Sequence, residues 1–212
     1  VMKYEWQGHE REVTGYSDSD WAGCRVTGRS TSGGALMIGG HFLKGWSRTQ
    51  SNVTLSSAEA ELYAMVLASA EALAVQAYMR DLGVDMQVEL YTDSAAALGI
   101  AKRASIGKVR HLRTQGLWVQ EVRVSGRIAY KKVLGEKNPA DLLTKHLSAE
   151  LAGRHLQTLN MKLTEGRAEA APTLDSLVQA WYSNSDGDVA GPRKDARTVR
   201  FASTAQMRPI PP

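Results

Sequence analysis

The chain has 212 residues, 43% hydrophobic and 23% charged, which excludes a wholly disordered or fibrous chain and leaves room for one domain with a real core. A net charge of +4 favours a polyanionic partner without requiring one. The single cysteine, Cys24, excludes an intramolecular disulfide or a cysteine-rich zinc site, and is read as a small packed side chain in a reducing compartment. No run approaches the roughly 18–20 apolar residues of a membrane span, so no membrane partner is expected. No signal peptide is expected, and a start on Val1 suggests a piece of a longer product.

Residues 1–9 read as irregular, with Trp6 packing on the domain edge. Residues 12–18 alternate as a first strand ending on Asp18, with Val13, Gly15 and Ser17 on one face and Thr14, Tyr16 and Asp18 on the other. Residues 22–32 are polar and contain glycine, hence a loop. Residues 33–38 and 42–47 read as two strands joined by a Gly39-Gly40-His41 turn. Residues 55–81 form the longest helical pattern, with Ser56 and Glu59 at capping-box spacing and Gly83 as the stop. Residues 87–92 alternate as a strand leading to Asp93, and 94–102 read as a helix capped by Ser94. A helix over 109–124 stops at Gly126, and 127–134 is a last strand. Asn138 and Pro139 then open a further helix at N-cap and N1. Three strands in a meander, then strands reached through helices, give an α/β fold with a five-stranded mixed sheet flanked by helices.

After about residue 163 the composition turns to Gly, Ala, Ser, Pro and Arg. The expected division is a catalytic domain over 1–150, a helix extension over 151–165 and a low-complexity, mostly disordered tail over 166–212. From Gly166 onward there are 6 Lys+Arg against 5 Asp+Glu, so the tail is no basic arm.

Four acids fall where neighbouring elements bring them together. Asp18 and Asp93 end adjacent parallel strands, Glu61 lies one turn inside the long helix, and Asp141 lies in the first turn of the last. Four carboxylates in one place repel one another unless cations join them. An all-oxygen shell suits Mg²⁺ or Mn²⁺, and two such ions support phosphodiester cleavage. Glu61 is preferred to Glu59 because the capping box uses Glu59. Asp18 is preferred to Asp20 because Asp20 falls in the turn.

Seven runs stand in order: GYSDSDWAG (15–23), GRSTSGG (28–34), WSRTQ (46–50), LSSAEAELYA (55–64), YTDSAAAL (91–98), RHLRT (110–114) and NPADLLTKHL (138–147). Together they resemble the ribonuclease H domain of Ty1/copia-type retrotransposon Pol polyproteins over about residues 4–150. The resemblance implies an RNase H-like fold with strand order 3-2-1-4-5. It implies an endoribonuclease that hydrolyses the RNA strand of RNA–DNA hybrids with two Mg²⁺ (or Mn²⁺) ions. It also implies the reverse transcriptase region of the same polyprotein as a partner, and an intracellular place in a cytoplasmic particle or the nucleus. Carried over by motif, the catalytic and metal-binding acids are Asp18, Glu61, Asp93 and Asp141. Two departures stand out: Gln115–Val119 replaces a Lys-His-Ile-Asp-like run, and residues 134–138 lack the histidine that cellular and retroviral relatives carry before the last acid.

Arg29, Ser30 and Thr31 form a small polar loop suited to a phosphate, and Lys108, Arg110 and Arg113 a basic cluster at a helix start suited to nucleic-acid backbone. The competing reading is a decayed or domesticated module that binds hybrid without cutting it.

Overall fold

The computed structural model describes residues 4–103 and 113–162. The expected tail over 166–212 lies outside the described residues. β1 (Glu12–Asp20), β2 (Thr31–Ile38) and β3 (His41–Thr49) form the antiparallel meander. β4 (Gln87–Thr92) runs parallel to β1, and β5 (Ala129–Lys132) runs parallel to β4. The sheet order is β3-β2-β1-β4-β5, the mixed five-stranded order expected from the motifs.

β1 runs two residues further than its alternation indicated. The Asp20 carboxylate accepts the Thr31 N–H, closing the β1–β2 connection. Asp18 therefore lies inside β1, opposite Gly33 of β2, and not at the strand's end. Period two puts Val13 in the main core under the helices, and Tyr16 in a smaller apolar cluster on the other face with Leu142, Leu159 and Met161. Asp18 shares the Tyr16 face.

α1 (Ser57–Asp81) begins as its sequence dictates. Ser56 Oγ accepts the Glu59 N–H at 3.3 Å, and Glu59 Oε2 accepts the Leu55 N–H at 2.8 Å, one residue before the expected box partner. It ends in a Schellman motif: the Val84 N–H reaches Met79 O, and Gly83, at φ +80°, reaches Arg80 O. By length and composition alone α1 is apolar enough to cross a membrane. It instead lays Ala60, Leu62, Ala64, Met65, Ala68, Ala72 and Leu73 in the buried interior.

α2 (Ala95–Lys102) is capped by Ser94, and α3 (Arg113–Val124) ends at Gly126, φ +70°. β5 is shorter than the run over 127–134, because the Arg127 N–H closes α3 by bonding Val122 O. Asn138 caps the following turn and Pro139 opens it, but Pro139–Leu143 is a 3₁₀ turn rather than the start of an α-helix. It lies directly on β2, whose Gly33 leaves the space for Leu143 and Thr144. α4 (Ala149–Thr158), capped by Ser148, starts before residue 150 and ends at the buried Leu159. Leu159 and Met161, just after it, join the sheet's second apolar cluster, and a division at 150 falls inside the helix. Trp6 is 94% exposed, a correction to the expected edge packing: the segment before β1 is tied down through Tyr4 and Gln7 instead.

Candidate active site

Four elements deliver the site. β1 supplies Asp18, fully buried, and the residue after β4 supplies Asp93. The 3₁₀ turn supplies Asp141, 7% exposed, and α1 supplies Glu61. Carboxylate oxygens of Asp18, Asp93 and Asp141 lie within 4.8 Å of one another.

The connections that hold them are specific. Asn138 Nδ2 donates to Ser17 O at 3.0 Å, pinning the 3₁₀ turn to β1 one residue before Asp18. Its Oδ1 accepts the Ala140 N–H, so one buried amide both caps the turn and fixes its place. Thr144 Oγ1 donates to Asp18 Oδ2. Lys145 Nζ donates to Asp18 Oδ1 and to Asp141 Oδ1, each at 2.9 Å. From the other face of β1, Ser19 N and Oγ donate to Glu61 Oε1 at 3.3 and 2.9 Å. Glu61 Oε2 is buried with no hydrogen-bond partner.

Burial pushes the Glu61 carboxyl up to about 8, and the charge of Asp18 pushes it the same way. Burial and then Asp18 also raise Asp93. Burial lifts Asp141 to about 6 against the hydrogen bond from Lys145. Burial opposes the Lys145 charge, but its bonds to Asp141 and Asp18 outweigh that and raise its pKa. Acids held this close, with an orphaned buried oxygen and an all-oxygen donor set, are compatible with a divalent metal.

Asp20 ends β1 rather than lying in the turn, and its carboxylate accepts the Thr31 N–H, while Glu59 is engaged at the start of α1. The polar loop fares differently. Ser30 is fully buried, accepts the Ala22 N–H and bonds Thr54 Oγ1, so its hydroxyl is not open to a phosphate. The Thr31 N–H is spent on Asp20, while Thr31 is half-buried and Arg29 is exposed. Lys108 and Arg110 lie outside the described residues, as does the side chain of Arg113. Sequence reading passed over Lys145 and Thr144. The available signal was Lys145 four residues after Asp141, the spacing at which side chains on a helical turn meet.

The fold and the acid cluster define a chain of the ribonuclease H fold. An RNase H1 isolated from compost by a metagenomic approach superposes on 63% of this chain and 92% of its own at a TM-score of 0.50, with 20% identity. In sequence, the chain is similar to retrovirus-related Pol polyproteins of Ty1/copia type. It is 27% identical over 157 residues to that of transposon TNT 1-94 from Nicotiana tabacum, and 28% identical over 145 residues to that of transposon RE2 from Arabidopsis thaliana. These alignments cover 70% and 67% of this chain but only 12% and 10% of the polyproteins. No family model matches the chain.

Proposed function

We propose that this chain is the ribonuclease H domain of a retrotransposon Pol polyprotein and cuts the RNA strand of RNA–DNA hybrids. The observation that carries the reading is the meeting of Asp18, Asp93 and Asp141 within 4.8 Å; Glu61 falls outside that trio but near enough for the charges of Asp18 and Asp93 to raise it. Asp18, Glu61, Asp93 and Asp141 would hold two Mg²⁺ or Mn²⁺ ions, and the chemistry supplied there would be activation of water and stabilisation of the leaving 3′-oxygen in phosphodiester hydrolysis.

The chain's own residues do the positioning. Asn138 sets the 3₁₀ turn against β1, so Asp141 faces Asp18. Ser19 fixes one Glu61 oxygen and leaves the other buried without a partner. Burial of Asp18 and Asp141 keeps bulk water from screening their charges. Arg29, with Lys108, Arg110 and Arg113, supplies backbone contacts to the hybrid, and selectivity rests on 2′-hydroxyls and groove shape. The partner in the polyprotein is its reverse transcriptase region.

The test is cleavage of a labelled hybrid by the purified chain with and without Mg²⁺, alongside Asp93→Asn. The expected result is Mg²⁺-dependent cutting of the RNA strand that Asp93→Asn abolishes while its circular dichroism is unchanged. Cutting that survives Asp93→Asn rejects the site. Hybrid binding with no cutting under Mg²⁺ or Mn²⁺ points to the non-catalytic module.

A further inference from the structure

The ammonium of Lys145 sits where a cation is called for. It lies 2.9 Å from Asp18 Oδ1 and 2.9 Å from Asp141 Oδ1, two acids from elements more than 120 residues apart in sequence. The Lys145 side chain is 39% exposed, so its stem has a way out to solvent. Thr144 holds the second oxygen of Asp18, so Oδ1, the oxygen bonded to Lys145, is the one that Thr144 leaves open. A hard divalent ion needs direct contact with oxygen, at about 2.0–2.1 Å for Mg²⁺. An ammonium bonded to the same two oxygens is a like charge at close range in a partly buried site, so the two exclude each other. The arrangement is also incomplete: the ammonium bonds Asp18 and Asp141 but leaves Glu61 Oε2 buried without a partner.

We propose that Lys145 is an internal counter-ion, which holds Asp18 and Asp141 together in the metal-free protein and gives way to the divalent cation. The chain's own ammonium thus competes with metal and sets the concentration at which the site fills. This rests on the reading of the four acids as a metal site. Lysine suits the role, since its compact charge on a flexible four-carbon stem moves without breaking a fixed fork of bonds. The exchange makes and breaks only ion pairs and hydrogen bonds: the ammonium leaves two carboxylate oxygens, and the cation takes them.

Calorimetric Mg²⁺ titration of the chain, with no nucleic acid present, tests the competition. If the ammonium occupies the acids nine-tenths of the time, the apparent Kd is about tenfold weaker than the intrinsic one. Lys145→Met is expected to bind Mg²⁺ about tenfold tighter, and Lys145→Arg to bind no tighter than wild type. Unchanged or weaker Mg²⁺ binding by folded Lys145→Met overturns the proposal. A measurement on the wild type avoids dependence on a variant that folds poorly. The ¹⁵Nζ ammonium signal of Lys145 should be shifted and slow to exchange in the metal-free protein, and should move to the position of exposed lysines as Mg²⁺ is added. A signal unmoved at saturating Mg²⁺ overturns the proposal. Exchange without hybrid cleavage leaves this inference standing and rejects the nuclease reading, whereas cleavage with an unmoved Lys145 signal rejects the exchange alone. Absence of saturable Mg²⁺ binding overturns both.

Discussion

Replacing Glu61 by glutamine removes a charge that the folded, metal-free protein is poorly equipped to hold. Its carboxyl is pushed from 4.5 up to about 8, by burial first and by Asp18 second. A raised pKa means that the folded state keeps its proton where the unfolded chain gives it up. Stability from this group is fully present below pH 4.5 and is lost as pH rises to about 8. At about 1.4 kcal/mol per pH unit, the interval bounds the loss at roughly 5 kcal/mol, and relaxation of the partly exposed site brings it nearer 2–4. The amide that Glu61→Gln introduces has no titrating proton to lose and keeps an oxygen for Ser19 to bond. Urea unfolding in EDTA from pH 4.5 to pH 9 reads the difference. The two proteins should be of similar stability at the acid end, and Glu61→Gln should be more stable by about 2–4 kcal/mol at pH 8. Asp93 and Asp141 are raised for related reasons, so a shallower decline persists in the variant. Mg²⁺ should restore stability to the wild type at pH 8 and do so less for Glu61→Gln. Parallel stability curves across the whole range would refute the raised Glu61 carboxyl and the burial that causes it.

Gly33→Ala would place a Cβ 2.5 Å from Thr144 Cγ2 and 3.0 Å from Leu143 Cβ. The 3₁₀ turn must then lift from β2, at a cost of about 1–3 kcal/mol. Mg²⁺ affinity should fall with it, because Asp141 and Thr144 travel together; unfolding curves and calorimetry check both. Asn138→Ala removes a fully buried cap and the bond to Ser17 O, for a loss of about 2–4 kcal/mol. It should also loosen Asp141, seen as weaker Mg²⁺ binding at a temperature where the variant is still folded.

Signals confined to a few residues were readable from the chain alone. Ser56, Ser94 and Asn138 announce turn and helix starts because a short polar side chain satisfies backbone N–H groups two or three residues ahead. Gly83 and Gly126 announce stops because their positions need positive φ. The same local rules failed where packing had the final word. Nothing in Arg29 to Thr31 reveals that Ser30 faces inward to Thr54, since that depends on where residue 54 is carried. The form of residues 139–143 was likewise undetermined: Asn138 and Pro139 specify a start, but contact with Gly33 accompanies a tight, short turn.

The amino-acid sequence by itself determined the order of the strands and main helices and their caps and stops, while the sheet order and the choice of four acids drew also on the resemblance of its motifs. Each of these follows from periodicity, from backbone groups that need near neighbours, or from motif spacing. Only the tertiary structure decided what stands among those acids. Lys145 and Thr144 reach Asp18 across more than 120 residues, and Glu61 is left with one oxygen satisfied and the other not. Those facts depend on how closely one turn packs on one strand, and no pattern within a few residues encodes that distance.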